Sequence, residues 1–274
     1  MKTYSFFVSI LLALGLSVSS SYAQELIETT PPDIARIFSK YGGFDQAVLM
    51  MSREEWDVYR GWDGFDDQAA RDVVKKFKNT PERIAKRAQR KQQRMTSATE
   101  CECWIEPTSD YTFIGTDDWH YTAGAGPDVD ASLGPLALPF DFDFYGAMHD
   151  SFFINSKGTV SFGEYVIDWT PEEFPGAEYE QIAGFWADAD YRATGEIYYN
   201  ITPDAVYVNF IDVGYYNLHD DRTVTYQIIF TSNDGSATFD EGNVQLCYLD
   251  MGWCHGDIGG ASGSNGPTPA NVGA

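Results

Sequence analysis

Residues 182–230 read IAGFWADADYRATGEIYYNITPDAVYVNFIDVGYYNLHDDRTVTYQIIF, and this stretch decides the fold. Its β-branched and aromatic residues concentrate in four runs, at 182–186, 197–201, 205–213 and 224–230. Residues of these types are enriched in β-strands because they fit a pleated, partly buried surface. The run at 205–213 is apolar at both odd and even positions, which predicts a central strand covered on both faces. The stretch therefore predicts the middle of one core sheet.

Outside this stretch, four more segments predict strands. Apolar side chains alternate with other residues along 136–144, which is typical of a strand with one buried face. Segments 151–155 and 159–162 flank Ser156-Lys157-Gly158, a hairpin signal with glycine in the turn. Residues 244–249 form the last clear strand.

The glycine-containing turn Ala193-Thr194-Gly195 predicts a second hairpin, between residues 182–191 and 196–202. Seven or so short strands with glycine turns and no helix between them indicate an antiparallel arrangement. We therefore expect a mainly β chain, folded as an antiparallel β-sandwich or barrel and preceded by a short α-helical segment.

The first 23 residues have the pattern of a secretory signal peptide. Lys2 precedes an apolar run at 6–18, and the small residues of Ser21-Tyr22-Ala23 follow. The apolar run is too short to span a bilayer. We expect cleavage after Ala23 and a secreted, extracellular protein with no membrane span.

Residues 24–99 predict helices. Ser52-Arg53-Glu54-Glu55 matches a capping box, and Thr80-Pro81-Glu82 marks the start of a later helix. One face of that helix carries six basic residues: Arg83, Lys86, Arg87, Arg90, Lys91 and Arg94. This basic face has four possible roles. It docks on the acidic domain, it docks on an anionic cell-surface polymer, it marks a cleavable spacer, or it belongs to a solvated linker helix. We favour the solvated linker, because charge runs are usually solvated.

Charge divides the chain into two parts. Residues 1–99 hold 15 Lys and Arg against 12 Asp and Glu, whereas residues 100–274 hold 3 against 29. A domain this acidic repels nucleic acid and anionic membranes. The sequence therefore excludes nucleic acid as a partner of the second part.

Four cysteines lie in the acidic part of a chain expected to be secreted: Cys101, Cys103, Cys247 and Cys254. In an oxidising compartment, disulfides are the first expectation. We favour bridges that join the Cys101 and Cys103 pair to Cys247 and Cys254. A local Cys247–Cys254 bridge is the alternative, and the compartment argues against a four-cysteine zinc site.

Carboxylates gather around the segment at 186–192. In a strand, Trp186, Asp188, Asp190 and Arg192 share one face, because side chains alternate. The two aspartates then either share a calcium ion, which prefers several oxygen ligands, or pair with Arg192 and nearby turn amides. We assign Trp186 and Arg192 structural roles, and we expect loss of Arg192 to destabilise the domain more than loss of Lys157. Calcium is the one cofactor that these residue types suggest.

The run IAGFWADADYRATGEIYY at 182–199 resembles the NIDO domain, the nidogen-type extracellular domain. NFIDVGYYNLHDDRTVTYQIIF, CYLDMGWCHGDIGGASG, LPFDFDFYG and FINSKGTVSFG resemble other parts of the same domain. The most specific piece is the Trp-x-Asp-x-Asp-x-Arg run. The chain departs from the family at Trp253-Cys254-His255-Gly256, where threonines usually follow the tryptophan.

The resemblance covers roughly residues 101–263, and it sets the expected boundaries. We expect a signal peptide at 1–23, a helical segment with a basic helix at 24–99, a NIDO-like β domain at 100–263, and a flexible or truncated tail at 264–274. The family also occurs in tectorin- and mucin-like proteins and in secreted bacterial proteins, and we expect a bacterial member. The resemblance implies a non-catalytic module of adhesive or matrix-associated proteins, with an extracellular protein or glycan as ligand, and it implies no catalytic residues.

Two other functions stay open from the sequence. One is a carbohydrate-active hydrolase that uses Asp188 together with Glu164 or Glu196. Such a carboxylate pair must face one cleft, about 5–9.5 Å apart. The other is a structural spacer within a larger secreted protein, which the sequence does not separate from adhesion.

Overall fold

A computed structural model describes residues 30–98, 102–120, 126–172, 174, 178–232, 243–254 and 270–273. The described N-terminal part is helical, as the sequence predicts. Its helices are α1 (Pro32–Tyr41), α2 (Phe44–Met50), α3 (Arg53–Arg60), α4 (Asp67–Lys78) and α5 (Pro81–Ala98). We call α1 to α5 the helical segment. None of these described helices is long and apolar enough to cross a membrane.

The predicted capping box starts α3. The Ser52 hydroxyl accepts a hydrogen bond from the Glu55 amide at 3.3 Å, and the Ser52 amide donates to Glu55 Oε2 at 3.1 Å. This reciprocal arrangement satisfies two amide groups at the start of the helix that have no partner within it. It also fixes the position of Arg53, the first residue of α3.

Eleven strands in the described residues form two antiparallel sheets, which we call the β domain. The strands are β1 (Thr112–Phe113), β2 (Ser132–Phe144), β3 (Ala147–Asn155), β4 (Thr159–Ser161), β5 (Gln181–Trp186), β6 (Ala189–Asp190), β7 (Glu196–Ile201), β8 (Ala205–Tyr215), β9 (His219–Thr231), β10 (Val244–Met251) and β11 (Asn271–Gly273). The first sheet has the order β1-β7-β8-β9-β10, with β6 also paired to β8, and the second has the order β11-β5-β4-β3-β2. The mainly β, antiparallel fold class is thus confirmed.

Aromatic side chains from both sheets fill the space between them. Phe142 and Phe152 of the second sheet contact Phe230 of the first, with ring centroids 5.0 and 5.4 Å apart. The predicted alternation along β2 places Phe142 and Phe144 inward and Asp141 and Asp143 outward. Burial of such large apolar rings is the main favourable contribution to folding.

The central strand and the first hairpin that the sequence predicts both form. The strand β8 pairs with β7 on one side and with β9 on the other. Of its nine residues from Ala205 to Val213, seven are buried and two are half-buried, as expected for a central strand covered on both faces. The hairpin of β3 and β4 also forms, with Asn155 opposite Thr159.

The prediction of one continuous strand at 182–191 is wrong. The strand β5 ends at Trp186 in the second sheet, and β6 at Ala189–Asp190 belongs to the first sheet. The chain crosses between the sheets at residues 187–188, where the Ala187 amide donates to the Lys157 carbonyl at 3.0 Å. Consequently β7 pairs with β1 and β8 instead of forming a hairpin with the preceding strand.

The prediction of a flexible or truncated tail at 264–274 is wrong for residues 271–273, which form a strand. Asn271 lies opposite Trp186, and Gly273 lies opposite Ala183, so β11 is an edge strand beside β5. These residues belong to the second sheet because β5 offers them an unpaired edge. The signal peptide at 1–23 lies outside the described residues.

The helical segment and the β domain share one hydrophobic cluster. Trp56 and Tyr59 of α3 are buried in it together with Val129, and Tyr216 and Leu218 of the β8–β9 connection pack against it. The helices therefore cover one face of the β domain instead of standing apart from it.

Candidate functional site

The basic face of α5 binds the β domain. Arg94 donates to Asp212 and to Glu106, both at 3.1 Å, and Lys86 pairs with Asp220 at 2.8 Å. Arg83 donates to the Ala193 carbonyl at 2.5 Å. The favoured interpretation of a solvated linker helix was wrong, because the β domain places carboxylates and carbonyl groups opposite these side chains.

A second set of ion pairs lies buried between the helical segment and the β domain, and its centre is Lys157. Lys157 Nζ donates to Asp130 Oδ1 at 2.6 Å, to Asp188 Oδ1 at 2.7 Å and to the Ala189 carbonyl at 3.0 Å. The lysine is completely buried, although the sequence placed it in a hairpin turn. It is buried because that turn packs under the sheet crossover, where Phe185 and Ala187 donate to carbonyls of the turn.

Arg53 reaches the same two carboxylates from the helical segment. Its Nε lies 2.9 Å from Asp130 Oδ2, and its Nη2 lies 2.7 Å from Asp188 Oδ1. The guanidinium carbon stands 4.0 Å from the ring centre of Trp169 and 4.3 Å from that of Tyr216. Only 12% of the side chain is exposed. Arg53 is therefore held by two carboxylates and two aromatic faces.

Asp190 and Arg192 form a separate buried pair. Arg192 Nη2 lies 2.7 Å from Asp190 Oδ2, and Asp190 also accepts hydrogen bonds from the amides of Arg192 and Leu218. Arg192 Nη1 donates to the Leu49 carbonyl near the end of α2 at 2.8 Å. Helix-end carbonyls lack a partner within the helix, so this bond attaches α2 to the β domain.

Lys78, at the end of α4, adds one more bond between the parts. Its Nζ lies 2.7 Å from Asp128 Oδ2, which also accepts a hydrogen bond from the Thr116 hydroxyl at 2.8 Å. We call the whole set the charge network: Asp128, Asp130, Asp188, Asp190, Lys157, Arg192, Arg53 and Lys78.

The surroundings of the charge network change the pKa values of its aspartates in different directions. Burial by itself raises the pKa of Asp130, but Lys157 and Arg53 outweigh burial and lower that pKa from 3.8 to about 2. Burial raises the pKa of Asp188, and the charge of Asp130 adds to the rise despite the same two cations. For Asp190, the guanidinium of Arg192 outweighs burial and lowers the pKa.

The residues expected to hold calcium thus have other partners. Asp188 and Asp190 each bind cationic side chains of the chain itself, and their positive neighbours balance the charge that would attract a divalent cation. The described residues contain no group of three or more His, Cys, Asp or Glu side chains placed to hold a metal ion. The calcium site stays a prediction.

Trp186 and Arg192 lie in the interior. Trp186 is buried, and its indole nitrogen donates to the Asp168 carbonyl at 2.8 Å. The sequence predicts that loss of Arg192 destabilises the domain more than loss of Lys157, because a single strand would make Arg192 the nearest cation to both aspartates. That ranking has no structural basis, because Lys157 and Arg53 bind Asp188 and Arg192 binds only Asp190 among these carboxylates.

One disulfide joins the start of the β domain to its last long strand. Cys103 and Cys247 are bonded, with their Cα atoms 5.8 Å apart. This connection excludes the local Cys247–Cys254 bridge. Cys101 lies outside the described residues, so a second bridge between the two pairs stays a prediction.

The carboxylates proposed for a hydrolase do not form an accessible pair. Asp188 is 3% exposed and is bound by Lys157 and Arg53, whereas Glu164 is exposed on the loop after β4. Glu196 begins β7 and lies 3.9 Å from Arg87 of α5. A catalytic pair needs both acids open to one substrate, and Asp188 does not meet this requirement.

The sequence did not single out several members of the site: Arg53, Lys78, Trp169 and Tyr216. One signal for Lys157 was available, since it is one of only three basic residues among residues 100–274. A rare cation among so many acids is a good candidate for a buried partner of carboxylates.

Comparison with known proteins agrees with the resemblance seen in the sequence. A segment of 76 residues is 38% identical to mouse (Mus musculus) alpha-tectorin, covering 27% of this chain and 4% of that protein. Over 164 residues the chain is 25% identical to nidogen of Drosophila melanogaster, covering 49% of this chain and 12% of that protein. The chain thus spans a small share of these relatives, and no solved structure matches it significantly.

A family model described as NIDO related matches residues 106–243. This range is half of the chain, and it runs from just before β1 to the start of β10. It contains the Trp186–Arg192 segment and every β-domain member of the charge network. The chain belongs to the NIDO-related family.

Proposed function

We propose that this chain is a secreted, non-catalytic module for adhesion or recognition, with an extracellular protein or a glycan as its ligand. The observation that carries the proposal is that the buried acids of the charge network bind cationic side chains of the chain itself. Carboxylates that are buried and paired with cations of the same chain are not open to exchange protons with a substrate. The NIDO-related match and the resemblance to extracellular NIDO domains support the same function. A bacterial source stays a prediction.

The charge of the β domain supports one chemical class of ligand. Residues 100–274 carry 29 acidic against 3 basic side chains, so their field attracts cationic surfaces and repels nucleic acid. Asp141 and Asp143 on the outer face of β2 are among the exposed acids. Basic matrix proteins are therefore the first ligands to test, and their binding is expected to weaken as salt screens the charges.

A binding screen tests the proposal. The mature chain, residues 24–274, is immobilised and exposed to arrays of matrix proteins and glycans, with and without calcium and at low and high salt. Polyglutamate of matched net charge is the control for attraction by charge alone. We expect saturable binding to at least one ligand that polyglutamate does not retain. Binding no stronger than that of polyglutamate across both arrays contradicts the proposal.

The same arrays separate the two alternatives. A hydrolase releases reducing sugars from a glycan that it recognises, and we expect no release. A structural spacer binds nothing in either array, and it would then replace adhesion as the proposed role.

A further inference from the structure

We propose that the β domain carries a binding pocket for a guanidinium group, and that Arg53 of the helical segment occupies this pocket as a tethered ligand. The pocket consists of Asp130, Asp188, Trp169 and Tyr216, all contributed by the β domain. In the intact chain it holds Arg53, and after displacement of the helical segment it accepts an arginine side chain of a protein partner.

The contacts fit a guanidinium better than other cations. Arg53 donates to Asp130 through both Nε and Nη2, and Nη2 is shared with Asp188. The planar group lies near two rings, with its carbon 4.0 and 4.3 Å from their centres. A guanidinium offers five donors in one plane and stacks on aromatic faces, whereas an ammonium is a compact and strongly hydrated charge. The pocket therefore selects arginine over lysine.

The carboxylates of the pocket are held in place independently of Arg53. Lys157 binds Asp130 Oδ1 at 2.6 Å and Asp188 Oδ1 at 2.7 Å from inside the β domain. Two carboxylates beside one lysine leave a single negative charge, which matches one guanidinium. In the described part of the chain, Asp188 Oδ2 is buried and has no hydrogen-bond partner, so one acceptor remains for a further donor.

The helical segment takes no part in the pairing of the sheets. Residues 30–98 contain no strand in the structure, and the helical segment is attached through side-chain ion pairs, through hydrogen bonds such as those from Arg83 to the Ala193 carbonyl and from Arg192 to the Leu49 carbonyl, and through one shared hydrophobic cluster. Its departure leaves the pairing of both sheets intact but exposes the apolar side chains of that cluster. A partner whose arginine competes with Arg53 for the pocket therefore also has to cover this apolar surface.

Chemical rescue in the full mature chain tests the pocket. Arg53→Ala removes the occupant, and we expect its melting temperature (Tm) to fall. Methylguanidinium at millimolar concentration is expected to raise the Tm of Arg53→Ala saturably while leaving the unsubstituted chain unchanged. Methylammonium at equal ionic strength is expected to bind about tenfold more weakly, because it lacks the second in-plane donor and the stacking surface.

Two further variants make the test specific. Arg36→Ala removes an exposed arginine of α1 and is expected to show no rescue. Arg53→Ala combined with Trp169→Ala removes one aromatic face and is expected to lose most of the rescue. If Arg53→Ala does not fold by itself, it is refolded in the presence of methylguanidinium or of methylammonium, and recovery of the native circular dichroism spectrum with methylguanidinium but not with methylammonium is the expected result.

Equal effects of methylguanidinium on Arg53→Ala and on the unsubstituted chain would overturn the proposal. Rescue that is unaffected by loss of Trp169 would also overturn it. The inference that a partner's arginine enters the pocket rests on the proposed function, whereas the inference that the pocket binds a guanidinium group does not. An array without ligands therefore refutes adhesion and leaves the rescue result standing, and absence of rescue refutes the pocket without touching adhesion.

Discussion

Replacing Lys157 by methionine tests whether the charge network stabilises the fold. The substitution keeps the length of the side chain and removes the ammonium group that bridges Asp130 and Asp188. The lysine and Asp130 are fully buried, and the side chain of Asp188 is 2% exposed. Water therefore cannot replace the lost charge without rearrangement of the site.

The expected cost follows from the partners that remain. Removing one member of a buried ion pair costs about 3–5 kcal/mol, because an uncompensated charge stays behind. Arg53 still contacts both carboxylates, so we expect the lower end, about 3 kcal/mol. For a chain of this size, 1 kcal/mol shifts Tm by about 2–4 °C, which gives a fall of roughly 6–12 °C.

Urea denaturation followed by circular dichroism measures the change at about pH 7. Lys91→Met is the matched control, since it makes the same chemical change at an exposed position of α5 and is expected to stay within about 0.5 kcal/mol of the unsubstituted chain. Loss of the lysine also raises the pKa values of the two aspartates in the folded state. Protonation then favours the folded variant, so its deficit is expected to shrink at about pH 4.5.

Two results would refute this reasoning. One is a free energy of unfolding for Lys157→Met within the range of the Lys91→Met control. The other is a deficit that is as large at about pH 4.5 as at neutral pH, because it would show that lost packing and not unpaired charge causes the instability.

Three further predictions concern stability. The cations lower the pKa of Asp130 from 3.8 to about 2. Its contribution to the free energy of unfolding is therefore present above pH 3.8 and is lost as the pH falls toward 2. Urea titrations at stepped pH measure this loss. Replacing Cys103 and Cys247 by serine removes a bridge across 144 residues and is expected to cost roughly 2–5 kcal/mol by the same titration; an unchanged midpoint would contradict it. Gly158→Ala is expected to lower Tm more than Gly163→Ala: both glycines have positive φ, but a Cβ at Gly158 would overlap the Phe185 carbonyl, whereas open space surrounds Gly163.

The strands followed from the sequence wherever one side-chain pattern repeats along one strand. Alternation along 136–144 gave the buried face of β2, and apolar residues at both parities gave the central position of β8. The same reasoning failed at 182–191, because alternation does not reveal that a chain leaves one sheet and enters the other. The crossover at residues 187–188 depends on hydrogen bonds to the turn at 157–158, which are distant in sequence.

The sequence by itself determined the antiparallel β class, the acidic character of the β domain and the family, through the Trp-x-Asp-x-Asp-x-Arg run. It also placed Asp188 and Asp190 at the centre of the site. Only the tertiary structure decided what these carboxylates do, since the bonds from Arg53 to Asp130 and Asp188 span 77 and 135 residues. Periodicity reports which face of a strand is buried, but the partner of a buried charge is set by how distant segments pack together.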